Sequence, residues 1–222
     1  LEKRWAQSFP LAYRERVPAR GAVHDIRKID ALTPEAPLGL ALYWPLGGAE
    51  GRLGLKVYRL GAPVILSDSL PMLEHMGVRV LAEDNFRLEA SAGAPVYLHD
   101  FALESRSHAE LDPQALAPLF EDAFARVFRG EVENDDFNRL VLLAGLAAEE
   151  VVVLRGYARY LQQINFPQSQ ATIAATLATH PRIARMLVSL YRLRSDPQGQ
   201  DKEAAASQVN ALEQALDKVS NH

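Results

Sequence analysis

Residues 38–60, LGLALYWPLGGAEGRLGLKVYRL, decide the reading of the fold. From 38 to 44 the residues alternate, with Leu38, Leu40, Leu42 and Trp44 facing one way. From 52 to 60 they alternate again, with Leu53, Leu55 and Val57 on one face and Lys56 and Tyr58 on the other. Gly47, Gly48 and Gly51 supply turn chemistry between the two runs, so the stretch predicts a β-hairpin. These glycines do not form a phosphate loop: the GK[ST] ending is missing, and they join two strands rather than a strand and a helix. No G-x-G-x-x-G fingerprint and no G-x-S-x-G elbow occurs anywhere in the chain.

Working outward, residues 18–32 place Ala22, Val23, Ile26 and Ile29 at helical spacing, with Pro18 in the first turn and Thr33-Pro34 as the stop. After Gly61-Ala62-Pro63, Asp68 reads as a helix cap with Pro71 in the first turn, and Gly77 fits the position just past the helix end. Residues 78–90 and 95–103 are β-rich, the first broken by Asp84-Asn85. The order is helix, strand, strand, helix, strand, strand. Moving the last strand to the front gives the ferredoxin-like pattern of ACT domains. The expected fold is therefore α+β: a circularly permuted ferredoxin-like, ACT-like four-stranded antiparallel sheet with two helices on one face. The other face stays able to pair with a second domain.

The second half is helical throughout. Helices are expected near 113–129, 135–147, 148–164, 169–179, 181–195 and 201–219, an all-α bundle. The chain thus divides into an N-terminal arm 1–17, an ACT-like domain 18–105, a polar linker 106–112 and a helical domain 113–222. The chain starts at Leu1 and ends on an Ala-rich helical stretch, as though cut from something longer.

With 222 residues, 48% hydrophobic and 23% charged, the chain can bury a real core. Its net charge of −4 is split evenly, −2 in residues 1–130 and −2 in 131–222, which gives no sign of a nucleic-acid partner. Cysteine is absent, so disulfides, thiolate metal sites and cysteine nucleophiles are excluded; the cytoplasm fits. The longest apolar run, Leu140 to Ala148, is about half of what a bilayer crossing needs, and no stretch reads as a signal peptide, so none is expected. The six histidines show no pair at metal-ligand spacing, and His99-Asp100 sits in a strand where neighbours point to opposite faces.

Two charge patterns remain. The string Glu131-Val-Glu-Asn-Asp-Asp136 precedes an apolar helix, so it reads either as a helix start, with Asn134 or Asp135 capping, or as an interdomain contact through Asn134, Asp135, Asn138 and Arg139. Residues 151–195 hold no acid but six arginines. Arg155 and Arg159 share a helix face, as do Arg182 and Arg185. They are either a solvated face, a surface docked on an acidic patch of another domain, or a site for phosphate or nucleic acid.

The strings FPLAYRE (9–15), AVHDI (22–26), YRLGAPVILSDSLPMLEHMGVRVL (58–81), HDF (99–101), ENDDFNRLVLLAGL (133–146), VLRGYARYLQQ (153–163) and HPRIARMLVSLY (180–191) resemble the large bacterial NAD-specific glutamate dehydrogenases. The resemblance implies an internal segment: the last ACT-like domain plus the helical region ahead of the catalytic domain. That domain of the same chain is then a partner in a homo-oligomer, the segment serving either regulation and assembly, by oligomer contacts or the sensing of an amino-acid effector, or ligand-free structural oligomerisation, with NAD as cofactor of the parent only. The family's catalytic lysine lies in a Lys-Gly-Gly context. None of Lys3, Lys28, Lys56, Lys202 or Lys218 has it, so no catalytic, cofactor or metal residue is carried over.

Overall fold

The computed structural model describes residues 8–45, 47, 49, 51–89, 93–105, 112–195 and 201–219. Two short helices, α1 (Leu11–Arg16) and α2 (Ala19–Asp30), lead into β1 (Leu38–Tyr43) and β2 (Arg52–Leu60). Helix α3 (Leu66–His75) then precedes β3 (Val78–Leu88) and β4 (Val96–Ser105). The rest is helical: α4 (Pro113–Phe128), a 3-10 turn (Asp136–Asn138), α5 (Arg139–Ala144), α6 (Ala148–Gln163), α7 (Gln170–Thr179), α8 (Pro181–Ser195) and α9 (Lys202–Leu216).

The sheet order is β1-β2-β4-β3, and every neighbouring pair is antiparallel. Alternation sorts the strand residues onto two faces. Leu40, Leu42, Leu53, Leu55, Val57, Phe101 and Leu103 share one face and one core with residues of α3, α4 and the later helices. Ala41, Tyr58, Phe86 and Leu98 share the opposite face with Phe9, Tyr13 and Ile29 of the N-terminal segment. The expectation of two helices on one face therefore holds for a different pair. Helix α2 covers the second face, and α4, which follows β4, takes the place beside α3. Periodicity reveals that a helix has an apolar stripe, but not which side of a sheet receives it. Each face carries a buried core, and on the second face Ala82 and Ala102, paired across β3 and β4, stay exposed.

Three local expectations are also corrected. Helix α3 begins at Leu66, so Asp68 lies in its first turn and Pro71 inside the helix. The acid still favours the helix start through the backbone dipole. Strand β3 runs unbroken through Asp84-Asn85, and its irregularity lies between Val80 and Ala82. The helix expected at 135–147 is a 3-10 turn followed by α5, which Gly145 ends in the left-handed region (φ 61°). Of the expected linker 106–112, all but Asp112 falls outside the described residues, as do residues 1–7 of the expected arm. Asp112 caps α4 by accepting from the Gln114 amide at 3.0 Å.

Gly54 shows how the sequence serves the second face. A Cβ there would lie 2.1 Å from Cζ of Tyr43, its partner across the β1–β2 ladder. The missing side chain lets the Tyr43 ring cross, so that its hydroxyl donates to Asp100 at 2.8 Å.

Candidate interdomain interface

The acidic string lies where α4, seated on the sheet, hands over to the helical part. The Asp135 side chain accepts from the Phe137 amide at 3.1 Å and starts the 3-10 turn. Asn138 is buried, and its Nδ2 donates to the Glu133 carbonyl at 2.9 Å, closing the loop on itself.

Arg155, from α6, enters this loop from below. Only 1% of it is exposed. Its Nε and Nη2 donate to the two Asp135 carboxylate oxygens at 2.7 and 2.9 Å, and Nη2 also reaches Asn138 Oδ1 at 2.8 Å. Nη1 lies 3.4 Å from Glu133 Oε2, and the guanidinium carbon stands 5.8 Å from the Phe137 ring centroid. A buried guanidinium is tolerated because its fork matches one carboxylate in two bonds. Arg159 Nη2, one turn on, holds Glu133 Oε1 at 2.8 Å. The Glu133 carboxyl is held below its usual range, first by its own backbone amide and then by Arg159.

The same loop touches the sheet unit. His75 Nδ1, at the end of α3, lies 3.0 Å from Asn134 Oδ1. With that oxygen accepting, the proton sits on Nδ1. Gly77 turns the chain out of α3 with φ 87°, and a Cβ there would meet Arg139 Cγ at 3.5 Å. Arg139 pairs with Asp136 at 2.5 Å. A cleft of about 500 Å³ runs along this seam, with Glu74, Gly77 and Val78 on one wall and Arg139, Leu143, Ala175, Ala178 and Thr179 on the other.

The structure thus brings Asn134, Asp135, Asn138, Arg139, Arg155 and Arg159 together, and leaves Arg182 and Arg185 apart and exposed on α8. Among the described residues no ion pair joins either of the latter two. Arg155 is only 1% exposed, and its Nε and Nη2 are engaged inside this segment. Sequence reasoning missed His75 and Phe137, whose part depends on two distant segments meeting. It also missed a second polar centre. On the α2 face of the sheet, fully buried Asp25 accepts from Tyr13 and Tyr58 hydroxyls at 2.6 Å each and from Lys56 Nζ at 2.7 Å. The alternation in 52–60 had already set Lys56 and Tyr58 on one face; what it lacked was the helix above them. Among the described residues no His, Asp or Glu group is arranged to hold a metal ion.

Antiparallel strands with a helical layer, continued by a bundle that shares the core, define an ACT-type module fused to a helical segment. Family models support this division. Residues 37–116 match the glutamate dehydrogenase ACT3 domain, 132–197 match helical motif 3, and 1–32 match helical motif 2. An NAD-specific glutamate dehydrogenase of Halomonas elongata is 46% identical over 89% of the chain, and that of Pseudomonas aeruginosa 42% over 85%. The Mycobacterium tuberculosis protein of the same name is 35% identical over 96%. The chain belongs to the glutamate dehydrogenase family, as a segment holding its third ACT domain and adjoining helical motifs. It spans 12% of the length of the first two relatives and 14% of the third.

In the doubly-wound nucleotide fold a dinucleotide lies at the carboxyl ends of parallel strands, where a glycine turn opens a helix. Every strand pair among the described residues is antiparallel, so they do not form that crevice. No helix among them is long and apolar enough to cross a membrane.

Proposed function

We propose that this segment is a non-catalytic, regulatory and architectural part of an NAD-dependent glutamate dehydrogenase, the enzyme that turns glutamate into 2-oxoglutarate and ammonia. Its partners are the catalytic domain of the same chain and further subunits of a cytoplasmic homo-oligomer. The observation that carries this reading is the shared core. Residues from Leu40 in β1 to Val188 in α8 form one continuous buried cluster, so a displacement of the sheet unit is felt in the helical part. The Arg155–Asp135 joint pins the connection between them. Arg182 and Arg185 are the arginines left to dock on an acidic surface elsewhere in the parent. Reversing both to glutamate in the full-length enzyme should change subunit state or regulation. Unchanged assembly and unchanged regulation in that variant defeat the docking reading.

The finer question is whether the module senses an amino acid or is a ligand-free oligomerisation element. The seam cleft favours sensing, because Glu74 on one wall and Arg139, shared with Asp136, on the other set opposite charges across it for a zwitterion. Calorimetry with a panel of amino acids decides it. Binding that is lost in Arg139→Ala supports a sensor, and no heat with any amino acid supports the structural element.

A further inference from the structure

Strand β1, LGLALY, is an edge strand without a charge or proline of its own. Such an edge presents backbone groups that a second strand can pair with. The other edge, β3, is guarded by its irregularity at Val80/Ala82 and by Arg79, Glu83, Asp84 and Arg87. The guard on β1 comes from elsewhere. Lys28 of α2 donates to the Leu40 carbonyl at 2.5 Å. Glu121 of α4 accepts from the Leu42 amide at 2.8 Å. The two side chains meet each other at 3.5 Å, one arriving from each face of the sheet.

The carbonyl of Leu40 and the amide of Leu42 flank Ala41. These are the two groups that a single residue of a parallel neighbouring strand would engage, giving its N–H to one and its C=O to the other. We infer that the Lys28–Glu121 pair stands in for that residue, and that it seals β1 against strand pairing with a second copy of this chain. Because α2 and α4 lie on opposite faces, the seal also clasps the two helical layers around the edge. The pair needs its polarity: a donor must come from position 28 and an acceptor from 121.

The test compares four proteins by sedimentation over a range of concentrations and by amide exchange: wild type, Lys28→Ala with Glu121→Ala, Glu121→Gln, and the charge-swapped Lys28→Glu with Glu121→Lys. Glu121→Gln keeps an acceptor and should behave as wild type. The double alanine variant should gain a concentration-dependent dimer. At low concentration its Leu42 amide should exchange about tenfold faster or more, while Ala41, bonded to β2, stays protected. The swapped variant keeps the ion pair but loses both backbone bonds, and should behave like the double alanine variant. A swapped variant as sealed as wild type would falsify the inference. So would a double alanine variant that keeps the wild-type mass at every concentration, or one in which Ala41 exchange accelerates as much as Leu42, since then the whole strand has frayed.

Discussion

Arg155 holds Asp135 by two parallel hydrogen bonds, 2.7 and 2.9 Å long, and thereby ties helix α6 to the loop that follows α4. The guanidinium is buried, whereas about a third of the Asp135 side chain is exposed. That asymmetry sets the cost of breaking the pair. Losing the arginine frees a carboxylate that water can still reach, and opens a hole under Phe137.

Arg155→Leu should therefore destabilise the chain by about 2–3 kcal/mol, below the ~3–5 kcal/mol typical of a pair buried on both sides. Arg155→Lys should recover less than half, because an ammonium cannot make the fork. Urea unfolding of the three proteins measures this. A leucine variant as stable as wild type would mean that the loop is held by its own turn alone.

The Asp25 centre behaves differently, since Asp25 and Lys56 are both largely buried. Asp25→Asn should cost about 3 kcal/mol by leaving Lys56 without a counter-charge. Asp25→Leu combined with Lys56→Met should cost less than the sum of the two single changes. A double-mutant cycle with no coupling would show that the two charges do not depend on one another.

Stability should fall in alkali. Burial, together with the hydrogen bonds to Asp25 and Asp100, holds the phenols of Tyr13, Tyr43 and Tyr58 far above their ordinary 10.0. The native state keeps protons that the unfolded chain releases near that value. The stabilisation is thus complete below pH 10 and is lost as pH rises above it. Absorbance at 295 nm should show these tyrosines titrating only together with loss of the far-UV signal.

At the acid end, burial raises the Asp100 carboxyl above 3.8, against the opposing pull of Tyr43 and Lys56. Its contribution is most favourable below that pH and declines as pH rises through the native value. Asp100→Asn should gain more stability over wild type at pH 7 than at pH 3, and an equal difference at both would refute the assignment.

Limited proteolysis should nick the chain around Arg106, in the polar stretch before Pro113. The two fragments should then remain together, because α4 packs on the sheet within one core. Separation of the fragments in native chromatography would show that the sheet and the bundle are held mainly by the connection.

Much of the architecture was legible along the chain. Alternation at 38–44 and 52–60 marked the hairpin. Gly77 and the breaks at Phe166-Pro167 and His180-Pro181 marked helix ends within about three residues. These are local signals, written by turn chemistry and by the side-chain period of each element. The string at 131–136 was legible as well, in that it belonged either to a helix start or to a contact. In the structure the Asp135 carboxylate caps the turn and also receives Arg155, a contact within the helical part.

What the sequence by itself determined was the identity of the elements and the faces along each strand. It could not tell which layer each helix joined, nor that the arginines of 151–195 divide into a buried one, paired ones and exposed ones. Those outcomes depend on contacts between residues far apart in the chain: Asp25 with Lys56, Glu121 with Leu42, Arg155 with Asp135. A charged side chain reads the same in sequence whether it faces water or a partner. Only the folded chain, by removing the water around it, decides which partner it must have.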